Sequence, residues 1–486
     1  MTGNTAAAQA QLRSYDKLFI GGRWVEPSSD AEIEVISPMT GEVIATVPEA
    51  READVESAVA AARKAFDEGP WPRMTPAERA EVLVRIGDEI KKRIPVFAEI
   101  FAEEGGGTGP VATMVHENAI AMWNDAATLH TRFLFEEERS WEGGHGTLIR
   151  EPIGVVAAII PWNGPVALAS IKVSAALAAG CTVVVKPAPE GPLTMMLFAE
   201  ALEAAGLPEG VISVVPADRE VGDYLVRHPG VDKISFTGSS AAGRKIMAAA
   251  AERVKRVTLE LGGKSAAIIA DDIAFETFVP ELIFAGIGHS GQVCVALTRI
   301  LVPRERQDEL VEFMKTIMGS LKVGDPREPD TLIGPLAAER QQKRVLDYIE
   351  VGKQEGARLV LGGGKPAHLD SGWYVEPTLF ADVSNDMRIA REEIFGPVLS
   401  VIPFDSIDEA VEIANDSDYG LSGAVFANDV ELAESIARRV RTGQIAINQA
   451  AMCVVQPFGG YKQSGIGREG GIEGFEHYLE TKLVIS

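Results

Sequence analysis

A chain of 486 residues with 46% hydrophobic and 24% charged content is too long for one compact core and too apolar for extended disorder, so two or three lobes are expected. Its formal charge of −24 opposes a nucleic-acid partner and an anionic membrane surface, because such binding rests on Lys and Arg. The three cysteines, Cys181, Cys294 and Cys453, fit no metal site and no disulfide framework, which points to a reducing compartment.

Residues 1–14 read as a loose polar tail without the apolar core of a secretory signal. Residues 18–25 predict two short strands around Gly21-Gly22. From 53 to 66 the small and apolar residues recur at helical spacing. Thr75, Pro76 and Glu78 then form a helix start, with Glu three after the cap and Pro in the first turn. That pattern predicts one helix reaching about residue 104, stopped by Gly105-Gly106-Gly107. Another helix is expected over 112–132. The charged and glycine-containing stretch behind it, with a strand at 147–150, is a candidate linker or interface ribbon. The longest apolar run, 155–161, is far too short to span a bilayer, and a cytosolic enzyme is the simplest reading.

Past residue 154 strands and helices alternate. Runs at 155–160, 182–185, 211–215 and 233–236 are β-branched or small throughout, as strands buried on both faces require. Helical patterns at 166–178, 194–205 and 241–254 separate them. This is an α/β chain with a doubly wound parallel sheet, which binds ligands beyond the carboxyl ends of its strands. From 265 the mixture repeats less regularly. Strands are expected at 265–269, 299–302, 398–403 and 444–448, and helices at 276–288, 307–320, 337–354 and 429–440. A second α/β domain follows from this, with no internal repeat.

Several strand ends carry candidate chemistry. Asn163, in Pro161-Trp162-Asn163-Gly164-Pro165, is either a turn residue or a fixed N–H donor for a developing oxyanion. Lys186 ends the next strand, as a solvated charge or as a ribose or phosphate contact. Phe236-Thr237-Gly238-Ser239 opens a helix without a G-x-G-x-x-G or P-loop spacing, yet leaves a helix N-terminus open to a pyrophosphate. Glu260 lies between two leucines beside Gly262-Gly263. Burial would raise its pKa and suit it to general-base work; the alternative is an ion-paired strand-end acid. Glu393 and Phe395 share a turn, and 457–469 is a long glycine-rich loop. A lone cysteine such as Cys294 is most often a small buried hydrophobe.

Taken together, Pro161-Trp162-Asn163, Phe236-Thr237-Gly238-Ser239, Glu260-Leu261-Gly262-Gly263-Lys264, Gly291-Gln292-Val293-Cys294, Glu392-Glu393-Ile394-Phe395-Gly396-Pro397 and the 457–465 loop resemble the NAD(P)-dependent aldehyde dehydrogenase superfamily, in order and spacing, from about residue 16 to the end. The resemblance implies that Cys294 is the nucleophile, forming a thiohemiacetal, and that Asn163 with the Cys294 backbone N–H holds the oxyanion. It implies that Glu260 activates the water that hydrolyses the thioester and that Glu469 relays protons. It assigns cofactor contacts to Trp162, Lys186, Gly238, Ser239, Gly243, Leu261, Glu393 and Phe395. NAD is expected, with NADP admitted because Pro189 stands where NAD-selecting members often carry Glu.

For the substrate, the resemblance points to Gly164, Leu168, Ile171, Gly288, Val293 and Phe458. Gly164 and Gly288 occupy positions that are aromatic in many members, and Ile171 replaces a common Trp, so a medium-to-large hydrophobic aldehyde is expected. A Rossmann-type cofactor domain is implied over 15–128 and 150–262 and a catalytic domain over 263–463. A small β oligomerisation element at 129–149 and 479–486 would build a homodimer or homotetramer. Glu480 matches a family acid that pairs with Arg256 and Arg468. A catalytically silent fold and a coenzyme-A-acylating enzyme are the competing readings; the presence of Cys294, Asn163 and Glu260 argues against both.

Overall fold

The computed structural model describes residues 14–270 and 272–486. The tail expected over 1–14 therefore lies outside the described residues except for Ser14. Two large sheets form the frame. The first has eight strands, in spatial order Gly465–Ile466, Arg256–Glu260, Lys233–Thr237, Val155–Ile160, Thr182–Pro187, Ile212–Val214, Leu18–Ile20 and Arg23–Val25. Its five central strands, from Arg256–Glu260 to Ile212–Val214, run parallel, and antiparallel pairings close both edges.

Parallel strands need crossovers, and helices supply them on both faces. Alternate residues of each strand accordingly enter different cores: Val156, Ala158 and Ile160 on one side, Val155 and Ala157 on the other. That two-sided burial is why these strands read as continuous apolar runs. The helix Pro165–Ala179 is buried almost end to end, and its single charge, Lys172, is buried with it.

The second sheet has seven strands, in order Arg358–Leu361, Thr378–Ala381, Val398–Phe404, Leu297–Pro303, Ser265–Ile269, Gly423–Phe426 and Ala446–Ile447. All its pairings are parallel except the first. Only residues 261–264 separate Arg256–Glu260 of the first sheet from Ser265–Ile269 of the second. This short link sets the carboxyl ends of the first sheet against the amino ends of the second.

A third sheet pairs Leu479–Ile485 with Gly144–Pro152 and the latter with Glu136–Trp141. The expected ribbon is thus a hairpin completed by the C-terminal strand. A two-stranded sheet, Glu32–Ile36 with Val43–Pro48, completes the set.

Three sequence expectations need correction. The helix foreseen from 75 to 104 is two helices, Pro76–Lys92 and Ile94–Gly105, broken at Arg93. Pro95 explains the break: it has no N–H to give the Lys91 carbonyl, and its ring crowds that carbonyl, so it sits in the first turn of a new helix instead. The helices Arg219–Arg227 and Ile407–Asn415 and the strands Arg358–Leu361, Thr378–Ala381 and Gly423–Phe426 went unpredicted. Finally, Glu480 pairs with Arg256 at 3.0 Å, whereas Arg468 donates to the carbonyls of Gly460 and Gly467. Among the described residues no helix is long and apolar enough to cross a membrane.

Candidate active site

Register alone gathers the first group of candidates. Lys186 pairs with Ile159 and Glu260 with Thr237 across parallel strands, so Asn163, Lys186, Ser239 and Glu260 all sit at the carboxyl end of one sheet. From the opposing sheet come the loop holding Cys294, before Leu297–Pro303, and the turn holding Glu393 and Phe395, before Val398–Phe404. The two loops touch through backbone. A Cβ on Gly291 would stand 2.0 Å from the Gly396 carbonyl oxygen, and Gly291 has φ +71°, so only glycine fits there.

Cys294 is half-buried and packs with Val293 and Met452 against Val295, Leu421 and Phe458. Burial, reinforced by the negative charges of Glu393 and Glu260, pushes its thiol up to about 12. A thiol so raised is protonated at neutral pH and would have to shed its proton to act as a nucleophile. Asn163 reaches this loop directly: its Nδ2 donates to the Gln292 carbonyl at 2.9 Å. A primary amide carries two N–H groups, so a second remains for a ligand.

Glu260 is 2% exposed, and among the described residues neither of its carboxylate oxygens has a hydrogen-bond partner. Burial first, then the charge of Glu469, raises its carboxyl well above the usual range, against the pull of Lys172 and Arg468. A Cβ on Gly459 would lie 2.7 Å from Glu260 Oε1, so that glycine is what gives the carboxylate its room. Glu469 is buried as well: its Oε1 accepts from Lys172 and, at 3.0 Å, from Ser235 Oγ, while Oε2 is unpaired among the described residues.

Glu393 is fixed on the link between the sheets, accepting from Gly263 N at 3.1 Å, and burial raises its pKa. Phe395 holds φ +63°, a strained conformation for an aromatic residue, and meets Trp162 edge-on at 5.6 Å between ring centroids. Lys186 is buried; its Nζ donates to Pro187 O at 2.8 Å, and burial lowers it to about 8. Ser239 caps the helix Ser240–Ala251 by accepting from Ala242 N at 3.3 Å, and the remaining first-turn N–H groups have no partner within the helix. Gly243 is needed because a Cβ there would lie 2.5 Å from Leu261 Cδ2. Gly238 N donates to Glu260 O at 3.0 Å.

These groups fit a dinucleotide. A buried lysine and an exposed helix N-terminus share the carboxyl end of one sheet, and a carboxylate and an aromatic ring come from the turn before a strand of the other. Glu190, the acid nearest the Pro189 position, is engaged elsewhere in an ion pair with Arg340 at 2.5 Å.

On the substrate side, Gly164 caps the helix bearing Leu168 and Ile171, and a Cβ on it would meet only Leu168 and Val115, at 3.9 Å. Gly288 differs. Phe284, one turn earlier, holds its ring 3.4–3.6 Å from where that Cβ would be, and takes part of the space a side chain at 288 would fill.

Five residues escaped sequence reasoning. Gln341 donates to Phe395 O at 2.8 Å, and Arg344 to Glu393 O at 2.5 Å, so together they hold that turn. Phe284 and Met452 border the cysteine loop. Lys172 had left a signal, being a lone charge inside an apolar helix, which demands a buried partner.

The chain matches the family model described as aldehyde dehydrogenase family over residues 24–484. It is 44% identical over 472 residues to the geranial dehydrogenase of Castellaniella defragrans, covering 97% of this chain and 98% of the relative. An aldehyde dehydrogenase of Mycobacterium tuberculosis, solved with NAD+, superposes with a TM-score of 0.95 at 49% identity, covering 97% of this chain and 98% of that one. A cysteine-to-alanine variant of aldehyde dehydrogenase C from Pseudomonas syringae, solved with NAD+ and octanal, gives 0.93 at 45% identity, covering 96% of each.

Proposed function

The chain belongs to the aldehyde dehydrogenase family and is an NAD(P)-dependent enzyme of that class, and from this premise we propose how its residues divide the oxidation of an aldehyde to the acid. Cys294 Sγ gives up its proton to solvent water as it attacks the aldehyde carbon. The carbonyl oxygen becomes an oxyanion, held by the second N–H of Asn163 and the Cys294 backbone N–H. When bound, NAD(P) supplies the hydride acceptor, leaving a thioester on Cys294. Glu260 then removes a proton from water, whose oxygen attacks the thioester carbon. The carbon–sulfur bond breaks, the acid departs, and the proton held by Glu260, with Glu469 behind it, passes to Cys294 Sγ.

The observation that carries this reading is the bond from Asn163 Nδ2 to the Gln292 carbonyl, which brings the amide within two residues of the nucleophile. The unpaired Glu260 carboxylate supports hydrolysis over transfer to coenzyme A.

For the cofactor, Lys186 would hold the adenosine ribose, the Gly238-Ser239 turn the pyrophosphate, and Glu393 with Phe395 the nicotinamide end. With Glu190 drawn to Arg340, no carboxylate at position 189 repels a 2′-phosphate, so NAD is the expected cofactor and NADP is admitted. The same reading assigns 15–128 and 150–262 to cofactor binding, 263–463 to catalysis, and 129–149 with 479–486 to association in a homodimer or homotetramer.

The substrate class is a medium-to-large hydrophobic aldehyde. Val293, Met452 and Phe458 form an apolar wall at the sulfur, and a Cβ at Gly164 would meet only apolar side chains, Leu168 and Val115 at 3.9 Å. The relative named for geranial and the neighbour solved with octanal agree with that class. Incubation with NAD and decanal should produce NADH without coenzyme A or phosphate, with a higher kcat/KM than acetaldehyde. Cys294→Ala should abolish turnover and keep NAD binding. Turnover surviving in that variant, or a preference for acetaldehyde, refutes the corresponding part.

A further inference from the structure

The loop before the nucleophile is held in an unfavourable shape. His289, Ser290 and Gly291 take φ values of +51°, +54° and +71° in succession, and the first two carry side chains that disfavour this region. Such a run persists only where its surroundings enforce it. Ser290 Oγ donates to Gly334 O at 2.7 Å. The larger share falls to Gln292, which is wholly buried.

Gln292 is bonded at both ends. Its backbone N and its Nε2 both donate to the His289 carbonyl at 3.1 Å, closing the strained turn on itself. Its Oε1 accepts from Ala337 N at 2.9 Å, pinning the turn to a separate loop. The residue so fixed carries, on its following peptide, the carbonyl that accepts from Asn163 Nδ2. With one N–H of that amide tied to this carbonyl, the plane of the amide, and hence the direction of its other N–H, follows the position of the Gln292 peptide.

We propose that Gln292 is a positioning residue for the reaction: its side chain sets the peptide that aims Asn163 at the oxyanion beside Cys294. This rests on the reading of Asn163 and Cys294 given above, and it adds a residue that never touches substrate. A donor swung out of line loses most of its worth, because a hydrogen bond weakens steeply as it bends.

Gln292→Ala should lower kcat about 10–100-fold, approaching the ~10²–10³ loss of an oxyanion donor itself, and leave KM for NAD within about twofold. In an Asn163→Ala background the same change should cost no more than about threefold, because the group it aims is gone. Gln292→Glu gives a second readout, and carries the test if truncation to Ala unfolds the loop. Burial keeps the introduced carboxyl protonated above its ordinary range, and in that form it still accepts from Ala337 N and donates to the His289 carbonyl. Once ionised it has no proton to donate. The ratio of Gln292→Glu to wild-type kcat should therefore fall as pH rises.

Wild-type kcat in Gln292→Ala, an undiminished cost of that change in the Asn163→Ala background, or a pH-independent ratio for Gln292→Glu would each overturn the proposal. Failure of the underlying reading looks different: the wild-type protein would then yield no NADH from any aldehyde, or Cys294→Ala would turn over.

Discussion

Replacing Glu260 by Gln keeps the shape of the side chain and removes its ionisation, which separates the two halves of the reaction. In the proposed reaction, attack by Cys294 and departure of hydride do not use this group as base, whereas hydrolysis of the thioester does. Loss of a positioned general base typically lowers a step by about 10²–10⁴, or about 3–5 kcal/mol of barrier. Stopped-flow mixing of enzyme and NAD with decanal should show a burst of NADH of about one per site, followed by a steady rate reduced by that factor.

The same carboxyl makes a stability prediction. Burial raises its pKa in the folded state above the ordinary value of 4.5, so between these two values the folded chain binds more protons than the unfolded one. Folding stability is then fully present below 4.5 and is lost as pH rises through the folded pKa. The Gln variant escapes that loss, so its denaturation midpoint should exceed wild type at pH 8 by more than at pH 5. The acid side of the wild-type steady-state profile should also vanish. A variant without a burst would place Glu260 before hydride transfer and refute the assignment; an unchanged steady rate would remove it from the reaction altogether.

Lys186 loses its charge near pH 8, so NAD should bind less tightly at pH 9.5 than at pH 7, and Lys186→Met should bind weakly at both; fluorescence titration that finds no pH dependence in wild type counts against the contact. Gly288→Phe would add a second ring beside Phe284, and kcat/KM for decanal should fall at least about tenfold while acetaldehyde is less affected; equal losses would place position 288 away from the chain path. Lys172→Met leaves the Glu469 carboxylate buried without its cation and should cost about 3–5 kcal/mol, much of it recovered by adding Glu469→Gln. Equal denaturation midpoints for wild type and the single variant would contradict the pair.

Much of the frame was legible because its strands are buried on both faces and so announce themselves as uninterrupted apolar runs. Val155–Ile160 and Thr182–Pro187 could hardly be misread. Thr378–Ala381 and Gly423–Phe426 are equally buried, yet four residues carry too little period to tell a strand from a loop. The break at Arg93 had a visible cause in Pro95, overshadowed by the helical period on either side. The chemistry-bearing residues stood out by motif. Their supports did not: Gln341, Arg344, Gln292 and Phe284 act through contacts between segments roughly 45–130 positions apart or through local ring placement, and no spacing encodes that.

The four residues joining the two sheets each meet a different working part. Leu261 fills the space beside Gly243, Gly262 lies against the Glu393 carboxylate, Gly263 against the Cys294 carbonyl, and Lys264 O takes a bond from Arg299. A methyl on Gly262 would stand 2.4 Å from Glu393 Oε2, and one on Gly263 2.3 Å from Cys294 O. For protein engineering this divides the molecule unevenly. Residues on the proposed substrate side, such as Leu168, Phe284 and Met452, can be randomised one at a time to test which aldehyde enters. The joint cannot, because a single inserted residue there would throw helix, clamp and nucleophile out of alignment together. A recombination library should cross over elsewhere and inherit residues 256–269 from one parent intact.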